Sequence, residues 1–180
     1  MNRLNKKQLT LNLNNTMLNE DSIDIDKEKE DITIISDTIY LSSGYRVKTK
    51  EGIEELKSMG VTIIVSVVEE IDEKEYKIDD SFNIVQKFIF IPDKPTEDVD
   101  LEKGLYDFFD VIDHMKDNDK IYIHCKEGIS RSPTFVAGYY IHYFKMTDRD
   151  AVHKLRHMRR VTNIIPMYLF KLYNFYNKNH

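Results

Sequence analysis

From residue 32 onward, short runs of apolar residues alternate with longer stretches in which apolar positions recur every three or four residues. Five runs have the length and the β-branched or aromatic content of strands: residues 32–35, 39–41, 61–68, 84–91 and 120–124. The third is almost continuously apolar, which predicts a strand covered on both faces. Five stretches have helical spacing: residues 51–59, 101–116, 134–145, 148–159 and 166–177. In the second, Leu101, Leu105, Phe108, Phe109, Ile112 and Met115 form one stripe. The third is apolar nearly all round and is expected at the centre of the molecule. Thr147 three residues before Asp150 is a capping-box variant, and Pro166 suits a helical first turn. The alternation predicts an α/β fold in a single domain, a mixed central β-sheet flanked by helices.

Residues 1–31 break the pattern. They are rich in asparagine, lack aromatics and end in the charge-dense run DSIDIDKEKED, which predicts a solvated, disordered N-terminal tail and leaves residues 32–177 as the folded domain. Residues 1–19 hold Arg3, Lys6 and Lys7 with no acidic residue, loosely like a mitochondrial presequence. The single arginine and scarce serine favour the tail reading. With 180 residues, 41% of them hydrophobic, the chain can bury one core. It has no run of 18 apolar residues, so no transmembrane segment is expected. One cysteine excludes an internal disulfide and suits a reducing compartment, the cytoplasm or nucleus.

The net charge of −5 is unevenly spread: −2 over residues 1–31, −9 over 32–141 and +6 over 142–180. The acidic total and the lack of a basic-aromatic patch argue against nucleic acid as partner. The basic C-terminal third, with Lys154, Arg156, Arg159 and Arg160, reads either as a rim attracting phosphorylated substrates or anionic lipid, or as a solvated helix face.

Chemistry concentrates in residues 124–132, HCKEGISRS. They hold the sole cysteine, Cys125, and Arg131 six positions later, between a predicted strand and a predicted helix. A strand, a glycine-containing turn and a helix N-terminus cradle phosphate on inward N–H groups. Five intervening residues let the loop curl so that the Arg131 fork returns over the sulfur and grips two phosphate oxygens. Gly128 removes the Cβ that would block an inward N–H. A cysteine in so electropositive a turn is expected to be a thiolate at neutral pH, aimed at the phosphate that Arg131 and the loop N–H groups of Lys126, Glu127, Gly128, Ile129, Ser130 and Arg131 hold. Ester cleavage also needs a proton for the leaving oxygen. The run 85–91 ends in Pro-Asp-Lys-Pro, and Asp93, 32 residues before Cys125, is the candidate acid; Asp98 and Asp100 are neighbours, the latter placed to begin the next helix. Ser132 fits both as a hydroxyl that eases departure of the thiolate and as a first-turn helix residue. His124 is expected to orient the loop and tune Cys125 through a ring N–H. The remaining histidines show no spacing of a metal-ligand set, so neither metal nor cofactor is implied.

The segment IYIHCKEGISRSPTFVAGYYI closely resembles the signature of the dual-specificity branch of cysteine-dependent protein phosphatases. Residues 38–44 (TIYLSSG) resemble that family's first hairpin and residues 56–64 (LKSMGVTII) the helix-to-strand passage after it, so the likeness spans about residues 32–176. It implies a dual-specificity phosphatase-like fold, with Cys125 as nucleophile forming a phosphocysteine, Arg131 on the phosphate, and Asp93, at the separation the family leads one to expect, as acid and then base. The chain lacks the length for the extra recognition loop of the tyrosine-specific enzymes. This favours phosphotyrosine, phosphoserine and phosphothreonine in proteins as substrates. Residues 67–70 (VVEE), residues 101–105 (LEKGL), Lys126 and the seven-residue step from Arg159 to Pro166 are similar instead to the mitochondrial phosphatidylglycerophosphate phosphatase subgroup. They keep an anionic phospholipid open as the alternative. Glu127 and Ile129 stand against lipid. Asn163-Ile-Ile-Pro166 departs from the Pro-Asn of protein-directed members. A phosphate-binding adaptor without turnover is the remaining alternative, disfavoured by the intact Cys125, Arg131 and Asp93.

Overall fold

The computed structural model describes residues 24–179. Its five strands are β1 (Thr33–Ile34), β2 (Ile39–Ser43), β3 (Ile63–Val68), β4 (Val85–Phe90) and β5 (Ile121–Cys125). The helices are α1 (Ile25–Glu30), α2 (Lys50–Ser58), the single-turn α3 (Glu73–Tyr76), α4 (Leu101–Asp113), α5 (Arg131–Phe144), α6 (Asp148–Met158) and α7 (Pro166–Asn179). The sheet runs β1-β2-β5-β3-β4, with β1 antiparallel to β2 and every other pair parallel. The fold is therefore the expected mixed sheet wrapped by helices. The first hairpin is reduced to a two-residue ladder, Thr33 opposite Leu41 and Ile34 opposite Tyr40.

The period of two along each strand sorts side chains into two cores. Ile39, Leu41, Ile63, Val65, Val67, Ile121 and Ile123 face the larger core beneath α4 to α7, while Tyr40, Ile64, Val68 and Tyr122 face the smaller one with Ile53, Leu56 and Tyr76. All residues of β2, β3 and β5 are buried, as a parallel sheet covered on both faces requires. Ten of the fourteen residues of α5 are buried, so the helix that is apolar all round is the central one. A Cβ on Gly138 would lie 2.4 Å from Leu105 Cδ2, so the small residue sets how closely α4 approaches α5. The predicted cap forms: Thr147 Oγ1 accepts the Asp150 N–H at 3.1 Å.

Residues 24–31, expected within the disordered tail, correct that expectation. Asp24 caps α1 by accepting the Lys27 N–H, and the far end of the helix is held by Ser42, Arg46 and Arg159. Tertiary hydrogen bonds order a segment whose composition alone reads as solvated. The presequence reading of residues 1–19 lies outside the described residues.

Four parallel strands end on one edge of the sheet. Ser43 pairs with Cys125 at the ends of β2 and β5, and Val68 pairs with Phe90 at the ends of β3 and β4. A crevice at the carboxyl ends of parallel strands is where α/β sheets place ligands, and the Cys125 loop and the segment after Phe90 both emerge there.

Candidate active site

Cys125 is the last residue of β5, and Arg131 the first of α5, so residues 126–130 form a loop between strand end and helix N-terminus. The outer side of this loop is held by hydrogen bonds. Lys126 O accepts from Gly44 N–H at 3.2 Å, and Ile129 O from Asn163 N–H at 2.9 Å. Gly128 O accepts from Arg159 Nε at 2.8 Å. Ser130 O accepts the backbone N–H and the hydroxyl of Thr134. The C=O and N–H of one planar peptide point in opposite directions. Carbonyls fixed outward at 126, 128 and 129 thus turn the N–H groups of Glu127, Ile129 and Ser130 toward the loop centre.

The sulfur sits at the floor of this cage, and Cys125 is 2% exposed. Its Sγ accepts from Gly128 N–H at 3.2 Å and from Ser132 Oγ at 3.3 Å. Gly128 has φ +66°, and a Cβ there would lie 2.6 Å from the Ser42 backbone, so both the conformation and the space exclude a side chain. Ser132 lies in the first turn of α5, and its hydroxyl also reaches the sulfur.

His124 is fully buried. Nδ1 faces Cys125 O at 3.2 Å, and Nε2 faces Ser66 Oγ at 2.8 Å. A carbonyl can only accept, so Nδ1 carries the proton and Nε2 accepts from Ser66. Ser66 Oγ in turn accepts from Gln86 Nε2 at 3.1 Å. Burial lowers the His124 pKa to about 4, which keeps the ring neutral. The ring N–H therefore anchors the nucleophile's carbonyl rather than its sulfur.

Arg131 is 3% exposed. Its Nη2 lies 3.0 Å from Asp93 Oδ1, while its Nη1 is buried with no hydrogen-bond partner. Asp93 itself is well exposed. Its backbone N–H donates to Glu69 Oε1 at 3.2 Å, and the hydroxyl of the buried Tyr168 donates to Pro92 O. The competing aspartates are occupied elsewhere: Asp98 accepts the Thr96 hydroxyl, which lowers its pKa, and Asp100 caps α4 on Lys103 N–H.

The structure thus gathers Cys125, Gly128, Arg131, Ser132 and Asp93 around one point, with His124 behind it. Lys126 is exposed on the loop's flank and Ile129 is half-buried. The Glu127 side chain pairs with Lys29 Nζ at 3.2 Å. Arg159 corrects an expectation: grouped by sequence with a solvated basic face, it is 1% exposed and bonded to the loop. Tyr168 and Glu69, which steady the Asp93 segment, are not readable as site residues: Tyr168 shows only apolar spacing, and Glu69 only its place in the 67–70 run. Among the described residues, no three His, Cys, Asp or Glu side chains gather as a metal site.

Residues 39–178 match the family model described as dual specificity phosphatase, catalytic domain. The chain is 30% identical over 106 residues, 58% of its length, to protein-tyrosine-phosphatase MKP1 of Arabidopsis thaliana. It is 29% identical over 130 residues, 71% of its length, to dual specificity protein phosphatase PHS1 of the same plant. It spans only 12% and 13% of the length of these relatives. In fold it is similar to the human tyrosine phosphatase-like serine/threonine/tyrosine-interacting protein, with TM-score 0.74, 22% identity, 83% of this chain and 97% of that one covered. The strand–loop–helix cage around Cys125 and the match over most of the chain lead to one conclusion: the protein belongs to the dual specificity phosphatase catalytic-domain family.

Proposed function

We propose that the protein hydrolyses phosphotyrosine, phosphoserine and phosphothreonine in proteins through a phosphocysteine intermediate. The observation that carries this reading is Arg131 Nη1, buried and unpartnered beside a sulfur that already accepts two hydrogen bonds. A cation with a free donor inside a ring of inward N–H groups is a site for an oxyanion. When phosphate enters, the Arg131 fork takes two of its oxygens, and Asp93 is released to the leaving-group side, taking up from solvent the proton it will donate. Cys125 thiolate attacks phosphorus, the P–O bond to the alcohol or phenol breaks, and Asp93 gives its proton to the departing oxygen. Asp93, now a carboxylate, takes a proton from water as that water attacks the phosphocysteine. The S–P bond breaks, inorganic phosphate leaves, and the Ser132 hydroxyl hydrogen-bonds the returning thiolate. The N–H cage and the guanidinium stabilise the charge on the equatorial oxygens throughout.

Breadth among phosphoamino acids is supported by openness: Asp93, Lys126 and Glu127 are all exposed. An anionic phospholipid is the second reading, supported by the exposed Lys126 and by the 159–166 step. Glu127 beside it weakens that reading by placing a carboxylate at the entrance. Turnover of a phosphopeptide panel against vesicles of phosphatidylglycerophosphate and of phosphoinositides tests the choice. Phosphopeptide kcat/KM above that for every lipid supports protein, and the reverse order replaces it with lipid.

A further inference from the structure

The helix α1 precedes the residues that match the family, yet its last turn is bound to the phosphate loop by one side chain. Arg159 Nε donates to Gly128 O at 2.8 Å. The same guanidinium donates through Nη1 to Glu28 O and Asp31 O, each at 3.0 Å, and to Thr33 Oγ1 at 3.3 Å. Through Nη2 it donates to Lys29 O at 2.8 Å. Its direct partners are thus carbonyls and one hydroxyl, most of them carbonyls that a helix end leaves unpaired, where a cation is favoured by the dipole. Further ties fasten α1 in place, among them the Arg46 bond to Glu30 O. Ser42 Oγ reaches Lys29 O and Glu30 O, and the Glu28 carboxylate accepts the N–H groups of Arg160 and Val161 at 2.6 and 3.2 Å. Lys29 also pairs with Glu127 of the loop itself.

Gly128 is the residue this bracket grips, and it is the one whose N–H donates to Cys125 Sγ. Its carbonyl must stay outward for the Ile129 N–H to face in, and it lies on β2 so closely that a Cβ would meet Ser42 and Arg159 Nη2 at 2.6 and 2.8 Å. Glycine is the residue least able to hold such a conformation unaided. We propose that Arg159 is a positioning residue for the phosphate loop, and that α1, by supplying its counter-bonds, is an integral part of the phosphate-binding site. The inference rests on the phosphatase reading above and adds to it the segment N-terminal to the catalytic match.

The test uses the full chain carrying Cys125→Ser, so that binding is read without turnover, and titrates inorganic phosphate calorimetrically. Arg159→Lys keeps the charge but cannot span Gly128 and α1 together; it is expected to weaken phosphate binding by about tenfold, the scale of one or two lost hydrogen bonds. Glu28→Ala loosens α1 without touching the loop and is expected to weaken binding by a few-fold. Because both act through one bracket, the double variant should bind no worse than Arg159→Lys alone. Phosphate affinity within twofold of the parent in Arg159→Lys, or full additivity of the two changes, overturns the proposal. Should Arg159→Lys fail to fold, Glu28→Ala decides alone, and unchanged phosphate binding there overturns it. No phosphate binding in the Cys125→Ser parent would instead overturn the phosphatase reading, and the bracket with it.

Discussion

The loop that would hold phosphate and the segment that would supply its proton meet at Arg131, and they are held in opposite ways. Cys125, Arg131 and Ser132 are at most 3% exposed, and the loop's carbonyls are tied to Gly44 just after β2, α5, Arg159 and the segment before α7. Residues 92–100 are largely exposed, and what steadies Asp93 is the Tyr168 bond to Pro92 and the Glu69 bond to its N–H. The contrast follows from the two jobs. A cage that stabilises developing charge works by not reorganising, so its dipoles are fixed by buried bonds. An acid that pairs with Arg131 must leave that guanidinium when phosphate arrives, so it sits on a segment with few ties.

Substitutions separate the two regions, beginning with the largest effect. Cys125→Ser should reduce turnover of an aryl phosphate below about one per cent while phosphate still binds, because the cage survives and a hydroxyl is the poorer nucleophile. Residual turnover above that level would mean that the buried sulfur is not the nucleophile. On the exposed side, Asp93→Asn should lower kcat by roughly 10²–10⁴ for alkyl-like leaving groups and by less for aryl groups, since only a poor leaving group needs the proton. Steady-state rates on a phosphoserine peptide and an aryl phosphate compare the two; equal losses, or a larger loss from Asp98→Asn, move the role elsewhere. Tyr168→Phe removes one tether of the acid segment and leaves the cage intact. It should cost about tenfold or less in kcat on the phosphoserine peptide with phosphate affinity unchanged, and weakened phosphate binding would show that Tyr168 serves the cage instead.

The smallest effect concerns stability, and it belongs to the fixed side. The folded-state pKa of His124 lies near 4, below its ordinary 6.5, so the unfolded chain binds more protons between these values. The contribution of the neutral ring is complete above about pH 6.5 and is lost as pH falls through 6.5 toward 4, on the order of 1 kcal/mol per pH unit. Urea unfolding at pH 7 and pH 5 should show this loss in the native chain and a smaller one in His124→Asn. An equal loss in both would assign the dependence to the carboxylates.

Local signals and long-range contacts divide what the sequence discloses. The continuous apolar run of β3, the stripe of α4, and the spacing of Cys125, Gly128 and Arg131 are readable because each depends on neighbours in the chain. Asp93 is readable as a proline-flanked aspartate at the end of a strand. Arg159 is not, because an arginine among Lys154, Arg156 and Arg160 has the pattern of a solvated face, and its burial depends on carbonyls some 130 residues away. Helix α1 is hidden for the same reason: Asp26, Lys27, Glu28, Lys29 and Glu30 read as solvated until Ser42, Arg46 and Arg159 cap the turn. Tyr168 looks like one more apolar position of α7, and only the fold brings its hydroxyl to Pro92.

Trapping the intermediate tests the central claim most directly. Rapid acid quenching of the native enzyme during turnover of a radiolabelled phosphopeptide, followed by proteolysis and mass spectrometry, should find one phosphoryl group on the peptide containing Cys125. The label should accumulate further in Asp93→Asn with an aryl phosphate, where the second step loses its base. Turnover with no phosphate on Cys125 at any quench time, or label on another residue, would contradict the account.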